Sequence, residues 1–61
     1  MKVEVLFIGG PGSEVYEAER VEWIADAGYM SIYTGTEEET TLEAAYPESG
    51  IVRIRVIEST S

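Results

Sequence analysis

The sequence holds no histidine and no cysteine, and four basic residues stand against twelve acidic ones. Without His or Cys, imidazole and thiolate catalysis, the usual zinc sites and disulfide stapling are excluded. A formal charge of −8 argues against nucleic acid as a direct ligand, because phosphate binding needs clustered Lys and Arg. Long apolar runs are missing as well; none approaches the roughly 18 residues that span a bilayer. The opening residues do not read as a secretory signal, since Lys2 is followed by one apolar residue and then Glu4, and the run 5–8 is short. The expectation is a cytoplasmic protein with no cofactor, no metal and no membrane partner.

What is present is a single domain over 1–61. A chain of this length buries only about 60% of the surface it exposes when unfolded, and ordering it costs roughly 1.5 kcal/mol per residue. The hydrophobic fraction of 44% is ordinary for a globular chain, so a folded protein is expected despite the charge. Close packing or self-association must supply what disulfides and zinc cannot. A homo-oligomer, most simply a dimer, follows as an expectation.

Turn residues punctuate the chain at 9–13, 26–28, 35 and 47–50. Between them, 2–8 and 51–57 are rich in β-branched residues and alternate in polarity, and 29–34 does nearly so; all three read as strands. The segment 14–27 decides the fold. As a helix it has Ser13 as N-cap and Gly28 beyond its end, with Val15, Ala18, Val21, Ile24 and Ala25 sharing a face. With a second helix over 36–46, this yields a miniature βαβαβ. As a strand, Val21, Trp23 and Ala25 point one way and Arg20, Glu22 and Ile24 the other, with Asp26–Ala27–Gly28 as a three-residue hairpin loop. The strand reading is preferred. Val15, Tyr16, Val21, Trp23 and Ile24 are mediocre helix formers, and a three-stranded parallel sheet would leave one face bare. The expected fold is all-β: five antiparallel strands near 2–8, 15–25, 29–34, 40–46 and 51–57, a meander curling toward an SH3-like barrel.

On this reading one face carries Val3, Val5, Phe7, Val21, Trp23, Met30, Ile32, Val52, Ile54 and Val56, a sensible core. The opposite face carries Glu4, Leu6, Ile8, Glu22, Ile24, Tyr29, Ser31, Tyr33, Arg53, Arg55 and Ile57. Glu4 is expected across from Arg53 or Arg55 if the first and last strands pair. A solvated face should not hold Leu6, Ile8, Ile24, Tyr33 and Ile57 together, because exposed apolar patches mark interaction sites. Aromatic and Arg side chains supply most interface hot spots. Tyr29, Tyr33, Arg53 and Arg55, with Leu6, Ile8 and Ile24, are therefore the candidate partner-binding residues; Trp23 joins them as an aromatic but sits on the core side.

The stretch 8–13, Ile-Gly-Gly-Pro-Gly-Ser, resembles the opening of the phosphate-binding loop of adenylate-kinase-like P-loop proteins. The resemblance ends there, because Glu14–Val15 follows Gly12–Ser13 where that family has the lysine that reaches the phosphates. The loop reads as a wide turn. Glu17 with Glu19, and Glu37–Glu38–Glu39, are carboxylate groupings that read as solvated acids. So short a chain has little room to enclose a carboxylate of raised pKa. Ser13, Ser31 and Ser49 have no histidine to activate them. No enzyme is expected. The acidity admits a second functional class, in which Glu4, Glu14, Glu17, Glu19, Glu22, Glu37, Glu38, Glu39 and Glu43 imitate nucleic-acid phosphates and inhibit a host DNA- or RNA-binding protein.

The stretch 45–54, Ala-Tyr-Pro-Glu-Ser-Gly-Ile-Val-Arg-Ile, preceded by 21–24 and 29–33, is similar to short β-proteins encoded by actinobacterial phages. In these a strand ends in a Tyr-Pro turn and the last strand alternates Ile or Val with Arg. The resemblance implies a phage accessory or host-modulating protein that acts in the host cytoplasm by binding an unknown protein partner.

Overall fold

The computed structural model of the chain describes residues 1–9 and 12–59. The two runs richest in β-branched residues become β1 (Lys2–Phe7) and β6 (Ile51–Glu58), which pair antiparallel. On one side Val3 faces Val56 and Val5 faces Ile54; on the other Glu4 faces Arg55 and Leu6 faces Arg53. The second edge of β1 takes β2 (Ser13–Glu17), so one sheet has the order β2-β1-β6. A second antiparallel sheet, β3-β4-β5, is built from β3 (Arg20–Asp26), β4 (Tyr29–Gly35) and β5 (Thr40–Pro47). A 3-10 turn at Glu48–Gly50 leads from β5 into β6. The protein is thus nearly all β, as the alternation of polarity indicates.

Two expectations are corrected. The described residues form six strands, because the segment 15–25 is two strands that belong to different sheets. The break falls at Ala18–Glu19. Ala18 exchanges backbone hydrogen bonds with Met1, its N–H reaching the Met1 carbonyl at 3.0 Å and its carbonyl accepting from the Met1 amine at 2.9 Å. Beyond this point the chain leaves β1 and joins β4, and a strand that serves two sheets must bend at the corner. The helical alternative also falls: 14–27 is extended apart from that corner and the turn at 27–28, and 36–46 is a tight turn followed by β5.

The two sheets enclose a small core. Val3 and Val5 from the first sheet and Val21 and Ile32 from the second are buried, with Met1, Phe7, Tyr16, Ala18, Trp23, Met30, Tyr46, Ile51 and Ile54 packed around them. Of the residues assigned to the core face, Val52 and Val56 do not belong: they are 57% and 45% exposed. The register shifts between Leu6 and Phe7, so that Phe7 faces Ile51 and Leu6 faces Arg53. Val52 is thus the extra residue of a bulge and loses its inward position to Ile51. Val56 does face Val3, but on a strand with a free edge that solvent reaches.

Two turns set the geometry of the second sheet. Asp26 pairs directly with Tyr29, leaving a two-residue loop in place of the expected three. Ala27 and Gly28 both have positive φ, 52° and 83°, the conformation whose twist matches the flanking strands. At the other end, Thr36 donates its N–H to the Glu39 carbonyl at 2.8 Å, and its hydroxyl accepts from the Glu39 N–H at 3.2 Å. This folds the chain so tightly over Gly35 that a Cβ there would lie 2.2 Å from the Glu39 carbonyl oxygen.

Candidate functional site: an apolar outer sheet face on an acidic half

Side chains alternate across a sheet, so the cross-strand pairs define rows on the outer face of β3-β4-β5. One row is Glu22, Tyr33 and Leu42; the next is Ile24, Ser31 and Ala45; the third is Asp26, Tyr29 and Pro47. The register shift after Ile32 makes Glu43 the unpaired residue and brings Leu42 beside Tyr33. Ile24, Tyr29 and Leu42 are 56%, 53% and 58% exposed. Together with Tyr33, Ala45 and Pro47 they surround Ser31, the small centre of the face.

The end of this face next to Gly35 is polar and closed upon itself. Arg20 donates one guanidinium nitrogen to Glu22 at 2.9 Å and the other to the Glu37 carbonyl at 3.0 Å. Glu19 accepts the Glu37 N–H at 3.0 Å, and Thr40 donates its hydroxyl to Glu22 at 3.4 Å. Glu17 and Glu19, considered together from the sequence, are parted: Glu17 sits 3.9 Å from the Lys2 ammonium while Glu19 holds the turn. Among the described residues no group of three or more acidic side chains is gathered as a metal site would need.

Charge is divided unevenly. Residues 20–50, which form the second sheet and its turns, carry seven acids and one base, whereas the remainder carries five acids and three bases. On the outer face of β2-β1-β6 the charges are largely matched. Arg55 donates to Glu4 at 3.0 Å, the pairing expected for these strands, and Lys2 faces Glu17.

The candidate residues therefore fall on two outer faces that point away from each other. Ile24, Tyr29 and Tyr33 are brought together on the second sheet; Leu6, Arg53 and Arg55 share the first. Ile8 lies just past β1, largely exposed, its N–H bonded to the Gly50 carbonyl at 2.9 Å. Leu42, Ala45 and Pro47 were not among the candidates. Their segment alternates poorly because of the bulge, and their neighbours on β4 are fixed only by strand pairing.

Trp23 and Met30 line a cleft of about 310 Å³ that opens between β3 and β6, with Glu48 and Ile51, Val52, Arg53 and Ile54 on its other wall. Beside the glycine-rich stretch the Phe7 N–H donates to the Gly12 carbonyl at 3.2 Å; Gly10 and Pro11 lie outside the described residues. Among the described residues no helix is long and apolar enough to cross a membrane. Compared with family models, with curated proteins and with solved structures, the chain matches none.

Proposed function

We propose that this protein is a non-enzymatic interaction module that acts by protein–protein contact and also associates with itself. The observation that carries the reading is the outer face of β3-β4-β5. Three large apolar side chains there stand more than half exposed around Ser31, in a molecule with only four buried core residues among those described. Contiguous exposure of that kind marks a binding surface. The outer face of β2-β1-β6 suits self-association better, because its charges are matched around Leu6 and the half-exposed Val15.

The strand order, the corner at Ala18–Glu19 and the 3-10 turn before the last strand support a finer reading of the fold as a small SH3-like barrel, open where β3 and β6 flank the cleft. The host-modulating role implied by the resemblance to phage-encoded β-proteins fits a module of this kind, since it requires contact and no chemistry.

Two measurements test the proposal. Light scattering across a hundredfold dilution should show a dimer that dissociates, and Val15→Glu should shift it toward monomer. A strict monomer at every concentration overturns self-association. Capture of host proteins on immobilised wild-type protein should be lost with Leu42→Ser; equal retention by both overturns the role of the outer face.

A further inference from the structure

The free edges of β5 and β6 are poor docking sites. β6 is bulged near each end and carries Arg53 and Arg55, while β5 is bulged at Glu43 and ends in Pro47. Bulges, charges and proline blunt strand addition there, whereas the outer face of β3-β4-β5 lies open. Its surroundings have a definite sign. The single base of residues 20–50 is Arg20, and both of its terminal guanidinium nitrogens are already bonded, to Glu22 and to the Glu37 carbonyl. Asp26 borders the face at Tyr29 and makes no ion pair among the described residues. A second copy presenting the same face would set a strongly negative half against its own kind, which repels.

We propose that the outer face of β3-β4-β5 seats a cationic amphipathic segment of another protein, with aliphatic side chains over Ile24, Tyr33 and Leu42 and Lys or Arg side chains turned toward Asp26 at one end and the exposed acids of the 37–39 turn at the other. The proposal rests on the contact-module reading and adds the partner's chemistry. The apolar centre supplies adhesion that survives salt, and the acids supply sign selection and a faster encounter. A pure imitation of phosphate by the glutamates would lack the first property.

Three synthetic peptides of equal length test it, an amphipathic Lys/Leu helix, its Glu/Leu counterpart and a hydrophilic Lys/Ser peptide, each titrated while backbone amide NMR shifts are followed. The Lys/Leu peptide should shift Ile24, Tyr29, Tyr33 and Leu42 and remain bound, though more weakly, at 1 M salt, where screening reaches about 3 Å. Leu42→Ser should weaken it about tenfold, and Val52→Ser at the exposed bulge of the other sheet should leave it unchanged. Binding of the Glu/Leu peptide, equal binding of the Lys/Ser peptide, or loss of all binding at high salt overturns the proposal. If no peptide binds but Leu42→Ser still abolishes capture of a host protein, the cationic assignment fails and the contact module stands. If neither responds to Leu42→Ser, both fall.

Discussion

The hydroxyls of Tyr16 on β2 and Tyr46 on β5 hydrogen-bond each other and so join edge strands of different sheets. The Tyr46 ring also meets Phe7 of β1 edge-on, with centroids 4.8 Å apart and planes at 61°. One side of the small core is closed by this aromatic group. The opposite side, between β3 and β6, is the open cleft.

Removing the bond should cost more than an exposed tyrosine would. Tyr16→Phe and Tyr46→Phe are each expected to destabilise by about 1 kcal/mol. The double variant should cost clearly less than the sum, since one bond is lost in all three. Urea unfolding of the four proteins provides the cycle.

The same pair predicts a limit on the alkaline side. Burial, with the Tyr46 hydrogen bond and the nearby Glu14 and Glu43 charges, raises the Tyr16 pKa above its ordinary value. Its neutral form is therefore favoured in the folded state. This contribution is fully present below the unfolded value of about 10 and is lost as pH rises through the raised folded value. Urea midpoints at pH 8 and pH 11 should show the fall, and Tyr16→Phe should reduce it.

Gly35 is required by close approach. In Gly35→Ala the new Cβ would meet backbone atoms, the Glu39 oxygen at 2.2 Å and the Thr40 Cα at 2.9 Å, and no side-chain rotation relieves that. About 2–3 kcal/mol should be lost, lowering the melting temperature by roughly 10 °C or more for a domain of this size. An unchanged melting temperature would refute the tight turn at 36–39.

Ala27 offers the opposite effect. It holds φ of 52° in the hairpin loop, a left-handed conformation that costs a residue with a Cβ about 1 kcal/mol. Ala27→Gly should stabilise the protein by about 0.5 kcal/mol, since glycine's extra freedom in the unfolded chain offsets part of the gain. Ala27→Val should destabilise it. Thermal melts read both.

Core and bulge positions should respond differently to truncation. Ile32 is fully buried, whereas Val52 is 57% exposed at a bulge. Ile32→Ala should cost about 3 kcal/mol or unfold the chain at ambient temperature, while Val52→Ala should stay within about 0.5 kcal/mol. Circular dichroism with urea titration separates them.

By itself, the sequence determined the class of structure and the chemistry that is out of reach. The alternation in 2–8, 29–34 and 51–57 identified three strands and the inward Val3, Val5 and Ile32, because the two-residue period of a strand is a local property. The missing His and Cys barred whole classes of catalysis without any coordinates. Only the tertiary structure decided that 15–25 breaks at Ala18, that Ile51 displaces Val52, that Tyr16 meets Tyr46, and that Leu42 completes an apolar face with Ile24 and Tyr33. Each depends on which strand lies alongside which. A sheet corner or a one-residue bulge reverses the side on which every following residue points, and the residues that cause the reversal are distant in sequence from those whose burial it changes.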